Sequence, residues 1–316
     1  MRERTIPKIP SGAKKKRLIV GTLILLAASF LIVVGVFALL VSALPSFTGK
    51  CVAVVDVNMP FTVEGSPTSL VDMGYPSSEE LADVIKELNY RNDVGAVLFI
   101  FNSGGGSVVA THEIYDAVEE LDTPTVSYFR EVAASGAYYV ASETDYIVSD
   151  PATITGNIGV RSVAFLSFEA LIRNLGINAT VVTSGDYKDI GSPYRNMSEE
   201  EQVIVQSIID EIFQEFKSIV IENRRGKLNM EKFDEITDGR ILSGRQAYEI
   251  GLVDELGNKD DAIMKAAELG GMEFETVDDI RVCYTEVIPR EGSLFSADSF
   301  IGGISESLGS IVPRFQ

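Results

Sequence analysis

Residues 95–121 read GAVLFIFNSGGGSVVATHEIYDAVEEL, and this stretch decides the fold class. The run at 95–101 contains no polar side chain and has the length of one buried strand. A glycine-rich turn follows at 102–107, and apolar residues then recur at helical spacing over 108–121. A strand, a tight turn and a helix in this order predict part of a βαβ unit.

The same alternation extends along most of the chain. Short runs rich in β-branched residues predict further strands at 51–57, 125–129, 146–148 and 179–183. Helical patterns predict helices at 78–90, 135–142, 168–175 and 198–225. We therefore predict an α/β domain whose largely parallel sheet is covered on both faces.

Two helix starts carry clear capping signals. Ser198 and Glu201 have the spacing of a capping box at the start of the long helix, and Ser243 is expected to cap a short helix that ends near Gly251. The apolar stripe of the long helix, 205–220, is explained by packing on a core, and the sequence offers no separate support for a groove.

The N-terminal region has the pattern of a membrane anchor. An uncharged run of 27 residues, 18–44, follows a basic segment, 1–17. At ~1.5 Å per residue such a helix spans roughly 40 Å, which exceeds the ~30 Å hydrocarbon core of a bilayer. The bases at 14–17 place the N-terminus in the cytoplasm and the residues after Pro45 outside. A cleaved signal peptide ending at 41–43 is the competing interpretation, although the run is about twice the usual length of such an apolar region.

Four segments are expected from these signals. They are a basic cytoplasmic arm (1–17), a transmembrane anchor (18–44), an extracytoplasmic domain (45–270) and a C-terminal extension (271–316).

Composition and charge exclude several function classes. The chain has 46 acidic and 27 basic residues and a net charge of −19, so binding to nucleic acid is not expected. One histidine cannot form a histidine-based metal site, and two cysteines cannot form a disulfide framework. A single bond between Cys51 and Cys283 stays open.

Two small motifs have the residues for acyl-transfer chemistry. The turn at 102–106 precedes a helix, so its N–H groups can bind an oxyanion or a phosphate; an ordinary strand-to-helix turn is the alternative. Ser135 lies between Ala134 and Gly136 at a predicted helix start, where a tight turn can present its hydroxyl. An ordinary N-cap serine is the alternative there.

A nucleophilic serine needs a base. His112 has polar neighbours and is expected to face solvent, which disfavours it. Lys188 lies in a glycine-bounded loop, 185–191, and is either a base or a solvated surface lysine. A free lysine amine has a pKa of ~10.4, which must fall by roughly three units for work near neutral pH. A base role therefore requires burial of Lys188, with Asp186 and Asp189 directed away from its amine.

Together these motifs resemble the signal peptide peptidase SppA family, which are serine–lysine proteases of the crotonase/Clp-protease superfamily. The resemblance is carried by residues 102–106, 132–139, 155–160, 185–193, 238–245 and 251–254. It implies a domain of repeated ββα units arranged as a spiral behind one transmembrane helix.

The resemblance also implies the roles of individual residues. Ser135 corresponds to the nucleophile and Lys188 to the general base, and Gly105 or Gly106 together with Gly136 corresponds to the oxyanion hole. Two positions depart from the family pattern: Gly104 stands where proline is usual, and Asn157 stands where a lysine-orienting serine is common.

The function implied by the resemblance is a membrane-anchored serine endopeptidase without metal or cofactor. Such an enzyme degrades released signal peptides and other hydrophobic peptides at the outer face of the cell membrane, and its sites lie at the subunit boundaries of a ring-shaped homo-oligomer. A crotonase-like enzyme acting on an acyl thioester and an inactive membrane scaffold are the alternatives.

Overall fold

The computed structural model describes residues 26, 29–32, 34, 49–66 and 74–285. The residues before Lys50 and those from Lys50 onward are separate units. An eight-stranded sheet forms the centre of the second unit. Its strands are β1 (Cys51–Val57), β2 (Val94–Ser103), β3 (Thr125–Ala134), β4 (Tyr146–Ser149), β5 (Ile154–Gly156), β6 (Ile241–Ser243), β7 (Glu255–Leu256) and β8 (Val282–Thr285).

The strands are arranged in the order β6-β5-β3-β2-β1-β8, and β4 pairs with both β3 and β7. Every pair is parallel except β5 with β6. The mixed α/β fold with a central sheet confirms the predicted fold class at this level and fits a Clp-protease/crotonase-like domain.

Helices cover both faces of the sheet. Their bounds are α1 (Ser78–Glu87), α2 (Val108–Glu119), α3 (Gly136–Ala141), α4 (Glu169–Asn174), α5 (Glu199–Asn223), α6 (Met230–Ile236), α7 (Gly244–Ile250) and α8 (Lys259–Leu269). Alternate residues of β2 belong to two hydrophobic clusters: Phe99 packs with the helices α1 to α3, and Leu98 packs with α8. Burial of both faces explains why the strands read as nearly continuous apolar runs.

The capping signals are confirmed. Ser198 and Glu201 form a capping box at the start of α5. Ser243 caps α7, which ends at Gly251 in the left-handed conformation. A Cβ at Gly251 would lie 2.0 Å from the carbonyl oxygen of Lys227, so glycine is required there for conformation and for space.

One predicted strand is wrong. Residues 179–183 adopt no regular structure, and their side chains are exposed. β-branched composition suits a strand only where a neighbouring strand pairs with it, and this segment pairs with no strand in the described chain. The other predicted strands are confirmed, and the structure extends three of them by one to five residues.

Both ends of the chain lie largely outside the described residues. In the predicted anchor, residues 26, 29–32 and 34 are helical and exposed, and all of them except Ser29 are apolar. The rest of 18–44 is outside the description, as are 1–17 and 286–316. Within the described ranges, no helix combines the length and apolar character needed to cross a bilayer. Part of the predicted C-terminal extension, β8, pairs with β1 in the sheet.

Candidate active site

Ser135 lies on a strained turn between β3 and α3. Its backbone angles are φ 55° and ψ −126°, a conformation that residues other than glycine rarely adopt. Its N–H donates to the carbonyl of Gly156 at 2.9 Å, which fixes the turn. The Ser135 hydroxyl does not cap α3 and has no hydrogen-bond partner among the described residues. The ordinary N-cap interpretation is therefore wrong, because the Ser135 hydroxyl makes no capping hydrogen bond to α3.

The glycine turn after β2 approaches Ser135 closely. Gly105 has φ +79°, and a Cβ on it would lie 2.4 Å from the backbone nitrogen of Gly136. A Cβ on Gly136 would lie 2.4 Å from Oγ1 of Thr111 and 3.4 Å from the nitrogen of Gly106. The two turns fit together only because these positions lack side chains.

Two backbone N–H groups at this junction have no acceptor among the residues that the structure describes. The N–H of Gly105 donates to Oγ of Ser103 at 3.1 Å, so it is already used. The N–H groups of Gly106 and Gly136 donate to none of the residues that the structure describes. Gly136 is the first residue of α3, whose N-terminal N–H groups have no intrahelical partner. Gly106 and Gly136 are therefore the pair suited to an oxyanion.

Ser135 and both glycines line a cleft of about 1010 Å³. The opposite wall is the middle of α5, where Ile209, Ile212 and Phe213 face the cleft. Farther along α5, Phe216 and Val220 are buried in the core. The apolar stripe of α5 thus has two roles, since its C-terminal half packs on the domain and its central part forms a groove wall. The sequence pattern predicted only the first role.

Asn157 lines the cleft beside Ser135 and is held by the segment before β6. It also has a positive φ, 54°. Its side-chain nitrogen donates to the carbonyl of Gly239 and its backbone N–H to that of Arg240. The motif at 238–245 therefore supports the loop that carries Asn157. Within one chain, Asn157 does not contact Lys188, so its orienting role stays a prediction.

Lys188 does not line the cleft that contains Ser135. It is exposed, on a loop whose neighbours from Val181 to Tyr187 are also exposed. Among the described residues Lys188 forms no hydrogen bond or ion pair through its side chain. A single chain therefore does not bring the predicted nucleophile and the predicted base together.

The loop of Lys188 is attached to α5 by Arg195, which the sequence analysis did not single out. Arg195 donates through Nη2 and Nε to Asp189 at 2.7 and 3.1 Å, and through Nη1 to Glu201 at 2.7 Å. Its hydrogen bonds hold the pKa of Asp189 below its usual value and lower that of Glu201 to about 2. Its two acids lie six residues away on either side, a spacing that gives no local signal of this contact.

His112 also lines the cleft, which differs from the expected solvent-facing position. Its ring centroid lies 5.6 Å from that of Tyr139, and its Nε2 lies 3.4 Å from a carboxylate oxygen of Glu215 on α5. His112 is thus directed toward α5.

The two cysteines form a disulfide bond. Cys51 on β1 and Cys283 on β8 are bonded across adjacent strands, with Cα atoms 5.9 Å apart. With Asp93 they form a group of metal-ligand residue types in the described chain. Because the sulfurs are bonded to each other, they are not thiolate ligands.

Comparisons with known proteins show a peptidase family. Residues 118–273 match the model of peptidase family S49. The chain is 36% identical to a putative protease of Methanocaldococcus jannaschii over 73% of this chain and 72% of that protein. It is 37% identical to a putative protease of Synechocystis over 68% of this chain and 76% of that protein. A putative signal peptide peptidase SppA of Enterococcus faecium is 35% identical over 57% of this chain and 52% of its own length.

Proposed function

Because this chain belongs to peptidase family S49, the family of SppA, we propose that it is a serine endopeptidase that uses Ser135 and Lys188 as a catalytic dyad. The observation that carries the proposal is the strained turn at Ser135. It leaves the hydroxyl unpaired beside the N–H groups of Gly106 and Gly136. Strain of this kind is retained where it serves function, and here it supports a nucleophile.

The proposed mechanism is acyl transfer. Lys188 removes the proton of the Ser135 hydroxyl, whose oxygen attacks the peptide carbonyl carbon and forms a tetrahedral intermediate. The N–H groups of Gly106 and Gly136 stabilise the oxyanion. The intermediate collapses as the protonated Lys188 gives its proton to the leaving amine, and Lys188 then activates the water that hydrolyses the acyl-enzyme.

We propose that the base comes from a neighbouring copy of the chain. Lys188 is exposed and does not line the cleft of its own chain. Large apolar side chains near its loop are also exposed, including Val163, Leu166, Leu175 and Val182. Covering them with a second copy would bury apolar surface and desolvate Lys188, as a lysine base requires. A head-to-tail contact of this kind forms a ring when the rotation between neighbouring copies closes.

Substitution of either dyad residue tests the proposal. We expect Ser135→Ala and Lys188→Ala each to reduce kcat for peptide cleavage by about a thousandfold or more, because nucleophile and base act as a unit. Ser207→Ala and Lys232→Ala are matched controls at exposed positions outside the cleft. Full activity of either dyad variant, measured on the folded full-length protein in detergent, would contradict the dyad.

Mixing the two inactive proteins tests the shared site. If Ser135 and Lys188 come from different copies, about a quarter of the sites in assemblies formed from equal amounts of both variants have both residues, and the mixture recovers activity. Sites built within one chain would stay inactive on mixing. Labelling of Ser135 by a fluorophosphonate separates the peptidase from an inactive scaffold.

We also propose that the enzyme is anchored in the membrane and acts on hydrophobic peptides such as released signal peptides outside the cytoplasm. The uncharged run at 18–44 and the bases before it support the anchor. The disulfide supports an oxidising compartment for the peptidase domain. Ile209, Ile212 and Phe213 of α5, which line the cleft beside Gln206 and Asp210, support substrates with apolar side chains. Release of the full-length protein by alkaline carbonate washing of membranes would contradict the anchor.

A further inference from the structure

Arg195 lies between two carboxylates of different elements. On one side it binds both oxygens of Asp189, the residue that follows Lys188. On the other side it binds Glu201 in the first turn of α5. A guanidinium bound by two hydrogen bonds to a carboxylate has a defined direction as well as a favourable energy.

The α5 side of this contact is rigid. Glu201 is 2% exposed, and it accepts the N–H of Ser198 at 2.9 Å in the capping box. Arg195 thus joins the Lys188 loop to the fixed start of α5. Around the loop, Phe165 packs at Gly191, and Glu169 of α4 pairs with Arg173 and accepts the N–H of Asn196.

Asp189 is the carboxylate placed to favour the charged, inactive form of Lys188 most directly. It adjoins Lys188 in sequence, and an unpaired carboxylate near an amine favours the charged ammonium. In the structure both its oxygens are bound by Arg195, and Lys188 has no carboxylate partner among the residues described. Asp186, the other acid of the loop, forms no ion pair in the described chain.

We propose that Arg195 is a positioning residue for Lys188. Arg195 holds the loop at 185–193 on α5. It also binds the carboxylate of Asp189, so that this carboxylate does not pair with the Lys188 amine. The inference rests on the proposed role of Lys188 as the base. It assigns to Arg195 an electrostatic effect on catalysis without contact to substrate.

The pH profile of kcat/KM tests this role with the full-length protein and a fluorogenic peptide. In Arg195→Gln, Asp189 is released and stabilises the ammonium form of Lys188. We expect the rise in kcat/KM to move to higher pH by about one unit, which lowers the value near neutral pH about tenfold. In Arg195→Gln with Asp189→Asn, the carboxylate is absent and the profile returns toward that of the unsubstituted protein.

Two further variants keep the test decisive. Glu200→Gln removes a neighbouring acid that does not bind Arg195, and its profile is expected not to shift. Arg195→Lys keeps the positive charge and replaces Arg195→Gln in the test if that variant does not fold. For Arg195→Lys we expect the pH profile to shift by less than half a unit.

A uniform loss of activity at all pH values, or no recovery when Asp189 is also changed, would identify a purely structural role and overturn the inference. Full activity of Lys188→Ala would overturn both the dyad and the role of Arg195. If Lys188→Ala is inactive but the pH profile of Arg195→Gln does not shift, only the role of Arg195 is overturned.

Discussion

Gly105 and Gly136 lie where two turns of the chain touch, and both positions require a residue without a Cβ atom. A Cβ at Gly105 would lie 2.4 Å from the backbone nitrogen of Gly136, an atom that cannot move without displacing Ser135. The positive φ of Gly105 adds a conformational requirement of its own. The N–H groups of Gly106 and Gly136 and the Ser135 hydroxyl, the proposed oxyanion donors and nucleophile, therefore depend on glycine for their relative positions.

Substitution of Gly105 should affect both stability and activity. We expect Gly105→Ala to lower the free energy of unfolding by about 2–4 kcal/mol, from overpacking and from the left-handed backbone. The measurement is urea denaturation. Gly104→Ala is the matched control, because nothing lies within 4 Å of its Cβ, and its stability should change by less than about 0.5 kcal/mol. Equal stability of the two variants would contradict the packing argument.

At the scale of the element, α5 joins three parts of the molecule. Its first turn holds Arg195 through Glu201, its middle lines the cleft, and its last residues pack in the core. Arg224, immediately after the helix, is fully buried and donates to Asp254 at 2.8 Å and to the carbonyl of Gly251. The direction of this 25-residue helix thus depends on contacts at both of its ends.

Removal of the Arg224 side-chain charge tests the contact at the C-terminal end of α5. Arg224→Met removes the buried partner of Asp254 and leaves it with the partly exposed Lys227, whose amine lies 3.0 Å from the carboxylate. We expect the free energy of unfolding to fall by about 3 kcal/mol, the lower end of the range for a broken buried pair. Arg225→Met, at the adjacent exposed position, is the control and should change it by less than about 0.5 kcal/mol. A similar unfolding midpoint for both variants would contradict the role of the buried pair.

The same pair should give stability a dependence on acid pH. Burial raises the pKa of Asp254, but the hydrogen bond and charge of Arg224, together with the hydrogen bonds from the N–H of Ile147 and the amine of Lys227, outweigh burial and hold the pKa below its usual value. A carboxyl group with a lowered folded pKa contributes stability above about pH 4 and loses it as the pH falls through the folded pKa. Arg224→Met should therefore show a smaller loss of stability than the unsubstituted protein as the pH falls below about 4, measured by urea denaturation at a series of pH values.

At the scale of the whole molecule, the disulfide joins strands that are 232 residues apart in sequence. It connects β1, near the start of the sheet domain, to the last strand along the described chain, β8. Because the closed loop contains most of the domain, loss of the bond releases a large amount of chain entropy in the unfolded state.

Reduction of the disulfide should destabilise the domain without changing its topology. We expect Cys51→Ala with Cys283→Ala to lose about 2–5 kcal/mol of unfolding free energy. The unsubstituted protein should shift to the same urea midpoint in a reductant, whereas the double variant should be insensitive to it. A midpoint unaffected by reductant in the unsubstituted protein would show that the two cysteines are not bonded in solution.

Local patterns predicted much of this molecule correctly. Burial on both faces makes the runs at 51–57 and 95–101 recognisable as strands, and short side chains with hydroxyl or amide groups mark the helix starts at Ser198 and Ser243. The prediction of a strand at 179–183 was wrong because strand formation depends on a pairing partner, which the local sequence does not contain. Arg195 was missed because its two acids lie six residues away on either side, a spacing that local helix or strand rules do not connect.

By itself, the sequence determined the fold class, the family resemblance and the residue types available for catalysis, because these depend on periodicity and on motifs within a few residues. Only the tertiary structure decided that Ser135 is strained and unpaired, that Gly106 rather than Gly105 has a free N–H among the described residues, and that Lys188 lies outside the cleft of its own chain. Each of these depends on which distant segments meet: the turn after β2 against that after β3, and the Lys188 loop against α5. Contacts between distant segments are set by packing of the whole domain, and a linear pattern of residues does not specify them.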